Sequence, residues 1–270
     1  MRGASRASLA QARERLSTSV AQPGVAATVA DELFACVALL DAEPSLRRAL
    51  TDTTRPVAAR AGLVRTLLEG KVGRATLQLV GGLAAARWSA TADLATATEQ
   101  LAVLASAAAA DEAGELDNLE DDLFRFGRVV GTSPELRAAL SNPLAPGELK
   151  RRLLDDLLAR KVTPSALRLI TAAAVHPRGR SLDTSLAEYA RLVADWRKRL
   201  IAVVRVAVPL SESERQRLAV ALSAAFGQGI HLDVMIDPGV LGGISVRIGD
   251  EFIDGSVASR LAALRRRLAA

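Results

Sequence analysis

Apolar positions recur at helical spacing through most of the chain and turn to alternation only after residue 200. Ser133-Pro134 and Thr163-Pro164 each combine a capping side chain with a first-turn proline, and Pro146-Gly147-Glu148 opens a helix between them. Leu149, Leu153, Leu154, Leu157 and Leu158 predict a buried stripe on that helix, continued on the next by Leu167, Leu169, Ile170 and Ala174. His176 precedes Pro177, which pushes it out of the α region and closes the helix. Ser181 then caps a long helix reaching about Arg199. The Ala-rich stretch from Thr91 to Ala110 has high helix propensity and no breaker, and Gly114 marks a joint before a helix from Glu115 to Val130.

Beyond residue 200 the period becomes two. A β-branched run from Ile201 to Val208 ends at Pro209. Ser211 and Glu214 form a capping box, opening a helix on which Leu218 and Leu222 face the same way, and Gly227 and Gly229 stop it. Ile230, Leu232, Val234 and Ile236 predict one face of a second strand, and Ile244, Val246 and Ile248 a third, separated by the Asp237-Pro238-Gly239 turn. Gly249-Asp250 supplies another turn, after which Asp254 or Ser256 caps a last helix with Val257, Leu261, Leu264 and Leu268 on one stripe. A module of about 70 residues buries little of its own surface and leans on a neighbour.

Laid over itself with an offset of ninety, the chain repeats. Asp31, Leu33 and Phe34 meet Asp121, Leu123 and Phe124, and Pro44, Leu46, Arg47, Ala49 and Leu50 meet Pro134, Leu136, Arg137, Ala139 and Leu140. Pro56, Leu63, Leu67, Leu68, Lys71, Val72, Leu77 and Leu79 fall on Pro146, Leu153, Leu157, Leu158, Lys161, Val162, Leu167 and Leu169. About a third of positions between Asp31 and Val80 agree without a gap, which points to duplication. The fold class that follows is mainly α: two tandem helical bundles, then a small α+β module with a short sheet and a terminal helix. The expected divisions are 1–90 for an extra N-terminal bundle copy, 91–199 for a six-helix domain and 200–270 for the α+β module.

One segment is specific enough to carry a family. Ile236, Asp237, Val240, Gly242, Gly243, Ile244, Val246, Arg247 and Gly249, followed by Asp254-Gly255-Ser256, resemble the C-terminal signature of the ATP synthase delta subunit, the bacterial counterpart of the oligomycin-sensitivity-conferring protein. The glycine pair suits a bend where no Cβ fits; a phosphate loop would need a following Lys-Ser/Thr and a helix opening at once. The extra copy at residues 1–90 makes the chain resemble the long actinobacterial form. The resemblance implies a non-catalytic peripheral-stalk subunit, one copy per complex, that needs no cofactor and holds the catalytic head still against the rotating shaft. Its implied partners are alpha-subunit N-terminal helices, received between the first and fifth bundle helices, and the C-termini of the membrane-anchored b subunits. Carried onto this sequence, the first set of contacts is Leu101, Leu104, Leu167, Ile170 and Ala174, residues that equally suit an inner core, and the second is Val257, Leu261 and Leu264.

Composition trims the alternatives. The 270 residues allow two or three domains, and with aromatics at 3% the cores must be aliphatic. The most apolar stretch, Leu101 to Ala110, is about half of a membrane span, and Arg2, Arg6, Arg13 and Arg15 have no apolar secretory core between them. A net charge of +5 raises nucleic-acid binding, the alternative being a basic RNA-binding or scaffold bundle, but the bases are dispersed except at Arg265 to Arg267 and aromatics for stacking are scarce. His176 and His231 lie far apart without metal-ligand spacing, and Cys36 sits among Leu33, Phe34, Val37 and Leu40 as a small hydrophobe. The acidic run Asp111, Glu112, Glu115, Asp117, Glu120, Asp121 and Asp122 reads as a solvated helix face, and Trp88 and Trp196 as packing residues.

Overall fold

The computed structural model describes residues 3–199, 201–226, 230–237, 242–248 and 251–254. Among them the chain is mainly α, with a small α+β module. Eleven helices come first: α1 Ala4–Ser19, α2 Val25–Ala42, α3 Pro44–Thr51, α4 Val57–Leu68, α5 Arg74–Ala85, α6 Thr91–Glu112, α7 Leu116–Thr132, α8 Pro134–Ser141, α9 Gly147–Leu158, α10 Pro164–Val175 and α11 Leu182–Arg199. Then follow β1 Ile201–Val206, α12 Glu212–Phe226, β2 His231–Ile236, β3 Ile244–Ile248 and β4 Glu251–Asp254. The chain forms two compact units, Met1–Ala194 and Asp195–Ala270.

The duplication is visible in the backbone. α3, α4 and α5 return residue for residue as α8, α9 and α10 at a spacing of ninety, and α2 returns as α7. Shifting α1 by ninety lands on 94–109, inside α6, while shifting 92–109 lands on α11. α6 is therefore both the sixth helix of the first copy and the first helix of the second. It lies along α2 and also packs against α1, α3, α5, α7 and α10. That double duty explains its composition: its buried positions are mostly Ala with a few Leu and Val, and small side chains let helices approach on every side. The two copies thus share one helix within a single compact unit, so neither has a complete six-helix core of its own.

The same local devices hold both copies. Glu32 on α2 accepts from Gly73 N at 2.8 Å and from the Thr76 hydroxyl, capping α5; ninety residues on, Asp122 on α7 accepts from Thr163 N at 2.8 Å, capping α10. An acid at a helix N-terminus satisfies orphan N–H groups and complements the dipole. At the other ends of these helices, buried Arg60 donates to the carbonyls of Ala84 at 2.6 Å and Ala86 at 2.9 Å, and buried Lys150 donates to that of Ala174 at 3.3 Å. Ser133 and Thr163 cap α8 and α10 through Leu136 N and Ala166 N, as their sequence predicts.

Two expectations are corrected in this unit. Asp122 belongs to the interior, 5% exposed, because it caps α10 instead of facing water with the rest of the acidic run. Of the leucines on α9 only Leu154 is fully buried; Leu149 is 57% and Leu157 38% exposed, α9 packing chiefly against α10. The apolar period shows that this helix is amphipathic but not how much of its apolar arc a neighbour covers.

In the module the sheet order is β2-β1-β3-β4, with β1 and β2 parallel and the other pairs antiparallel. Ala202, Val204 and Val206 of β1 pack with Val246 and Ile248 of β3 and with Leu222 of α12, with Leu218 and Phe226 alongside. The capping box forms: the Ser211 hydroxyl at 2.7 Å and then Ser211 N at 2.8 Å donate to Glu214 Oε2, which holds the Glu214 carboxyl below its usual range. One strand was not expected. Glu251–Asp254, read as the approach to a helix cap, pairs with β3 from Ile248↔Glu251 to Ser245↔Asp254. Its two apolar residues, Phe252 and Ile253, stand side by side, so no alternation announces a strand. Gly227 and Gly229, and the terminal helix with its stripe, lie outside the described residues.

Candidate docking surfaces

The signature residues serve the fold of the module. Asp237 N donates to the Val206 carbonyl at 2.9 Å, at the end of β1, and Ile244 pairs with Val206 from the other side. β2 and β3 therefore flank β1 on opposite sides. Just before β3, Gly242 and Gly243 sit at φ 76° and 84°, a left-handed conformation that explains the glycine pair. Asp237 also meets Arg205 at 3.7 Å. Val246 is buried in the sheet core, while the Arg247 guanidinium lies over the Phe252 ring at 5.9 Å. Val240 and Gly249 lie outside the described residues. Ile236, expected to face the core, is 58% exposed at the end of edge strand β2, and Val208, Met235 and Phe252 are also exposed. The module keeps an apolar surface despite its own core, as a small domain with a neighbour would.

In the bundle unit the five alpha-contact candidates separate. Leu101, Leu104, Ile170 and Ala174 are at most 2% exposed, because α2 covers α6 and the α6–α10 contact closes over the others. Buried this way, they are core and present no surface. Leu167 alone lies at the surface, in a groove of about 370 Å³ between α2, α9 and α10. Phe34, Leu167, Thr171 and Val175 make its apolar wall; Asp31, Arg151, Asp155, Arg168 and His176 make its charged rim. The Arg168 guanidinium grips Asp31 with both prongs, at 2.5 and 3.2 Å, across 137 residues of sequence. Burial, followed by the Arg151 charge, holds His176 below the usual imidazole range.

Behind this groove is a charged cluster that sequence patterning missed. Glu99, 1% exposed, accepts from Tyr189 Oη at 2.7 Å, from Arg178 at 2.9 Å and from Arg180. Arg178 also meets Asp41 of α2 at 3.2 Å, and Arg180 donates to Glu188 at 2.6 Å. Arg178, which meets both Glu99 and Asp41, sits at φ 50°, the one left-handed non-glycine among the described residues. No local signal announces it: Glu99 sits in an Ala-rich helix and its partners are 79 or more residues away. Cys36, 3% exposed, is similarly inert, its thiol pushed up to about 11 by burial and then by Glu32. Trp88 is buried with its ring N–H on the Leu83 carbonyl.

The helical unit thus presents an apolar groove with a charged rim, and the module exposed apolar side chains on its strands. Comparison supplies the family. The ATP synthase delta (OSCP) subunit profile matches residues 103–268. "ATP synthase subunit delta" of Thermobifida fusca is 48% identical over 269 residues, covering all of both chains. The proteins of the same name in Streptomyces griseus and Acidothermus cellulolyticus are 48% and 43% identical, again over all of both chains. The chain belongs to the ATP synthase delta (OSCP) subunit family, and its first ninety residues are part of what these relatives share. No described helix is long and apolar enough to cross a membrane.

Proposed function

We propose that this chain is a non-catalytic stator adaptor of the rotary proton-translocating ATP synthase, linking the alpha/beta head to the membrane-anchored b subunits on the cytoplasmic side of the plasma membrane. The observation that supports it is the end-to-end similarity to chains named as subunits of that enzyme. The mechanical role follows from the division of labour in the fold. A helical unit with an apolar, charge-rimmed groove suits receipt of an amphipathic helix such as an alpha-subunit N-terminus, with Leu167 at the contact. The module, with exposed apolar side chains on its strands, suits the b junction, for which Val257, Leu261 and Leu264 are the candidate contacts. Divisions at 1–90, 91–199 and 200–270 then mark ancestry, the first two being copies that share α6.

Holding against torque asks for tight, static contact and no chemistry. Nanomolar joints, about 12 kcal/mol, are the expected order. The test is coupling. Membranes stripped of this chain should keep ATP hydrolysis by the head but lose ATP-driven proton pumping, and adding it back should restore pumping. Pumping that is indifferent to its removal would overturn the reading.

A further inference from the structure

The repeat has an open end. Phe34 on α2 and Phe124 on α7 hold the same place in the two copies, as do Asp31 and Asp121. Phe34 is 9% exposed and lines one groove with Leu167, Thr171 and Val175 of α10 in the following copy, while Asp31 takes the Arg168 guanidinium. Phe124 has no following copy to meet. It is 66% exposed at the centre of a stripe with Asp117, Asp121 and Arg128, with the Arg128 guanidinium 5.3 Å from its ring and Val129 51% exposed beside it.

We infer that the Phe124 face of α7 is a docking surface for a helix of another subunit, held as α10 is held by the Phe34 face of α2. The occupied twin specifies the chemistry of the occupant. It presents aliphatic or small side chains at i, i+4 and i+8, as Leu167, Thr171 and Val175 do, and a base at i+1, as Arg168 does, to meet Asp121. A second copy of this chain is a poor occupant. Its corresponding face on α5 has Leu77, Gly81 and Ala85, but Gln78 where the arginine is needed. An uncharged amide there forgoes the two-pronged ion pair, which disfavours head-to-tail filaments.

The source of the helix rests on the stator reading, so the test separates the two. Phe124 is replaced by p-benzoylphenylalanine in the full chain, the assembled ATP synthase is purified, and adducts formed on illumination are sequenced, with exposed Thr66 as the control position. The expected adduct joins position 124 to a helix of another synthase subunit with the i, i+4, i+8 aliphatic pattern beside a base. A yield no higher than at position 66, an adduct to a second copy, or one within the same chain would overturn the inference while leaving the stator role intact. Failure of the unsubstituted chain to co-purify with the enzyme would sink both. In parallel, Phe124→Ala should leave the melting curve of the isolated chain unchanged yet weaken rebinding to stripped membranes about tenfold. Phe34→Ala should lower the melting temperature. Unweakened rebinding by Phe124→Ala also counts against the inference.

Discussion

α1 and α6 are the same helix of the repeat in two settings. α1 lies at the edge and buries three of its 16 residues, Ser5, Ala12 and Leu16. α6, placed between the copies, buries 15 of 22. Their sequences have diverged accordingly: exposed Arg15 corresponds to fully buried Ala105, and half-buried Leu9 to Glu99. Sharing a helix removes its exposed face, so large and charged side chains survive there only when they have partners. The difference teaches that the first copy is built into the second, with α6 as common property, and the charged cluster around Glu99 ties the loop before α11 to α2 across that seam.

The comparison breaks most visibly at Glu99. Glu99→Leu, which installs the α1 residue, leaves Arg178 and Arg180 without their common acceptor and should cost about 3–5 kcal/mol in urea unfolding. Leu9→Ala, at the matching place on α1, should cost about 1 kcal/mol or less. A small effect at Glu99 would show that the shared helix does not depend on its charges.

A finer contrast lies in the bases beneath the fifth helix of each copy. Arg60→Met strips hydrogen bonds from several terminal carbonyls of α5 and should cost about 2–3 kcal/mol, whereas Lys150→Met removes one long bond and should cost about 1 kcal/mol. Burial already lowers the Lys150 pKa, so its charged form is held at some cost. Equal losses in the two variants would mean that the copies use their bases alike.

The smallest expected effect is a pH slope confined to the second copy. His176 follows α10 where Ala86 follows α5. Its folded pKa lies below the ordinary 6.5. The unfolded chain therefore binds the proton first, and stability from the neutral ring, full above about 6.5, is lost as pH falls through 6.5 toward the folded value. His176→Gln should flatten that part of the curve between pH 7.5 and 5, and Ala86→Ser should leave it unchanged. An unaltered slope in His176→Gln would assign it to the carboxylates.

Much of the architecture was readable from residue patterns because the devices that start and stop elements are local. Prolines with caps at α8 and α10, the box at Ser211 and Glu214, and His176 before Pro177 all act within a few residues. The docking surface was less readable. Leu101, Leu104, Ile170 and Ala174 carry the same apolar signal whether a helix from the same chain or from a partner covers them, and here α2 over α6 and the α6–α10 contact bury them. The Arg168–Asp31 pair and the Glu99 cluster join residues too distant for any window of sequence to connect.

By itself, the sequence determined the helical periods, the ninety-residue duplication, the glycine bend in the module and the family, since each depends on short-range sterics, capping or position-by-position identity. Only the tertiary structure decided that the copies share α6, that Phe34 is covered while Phe124 is exposed, and that Glu99 is a hub. Those outcomes depend on which faces meet, and identical apolar periods leave that choice to packing over the whole unit.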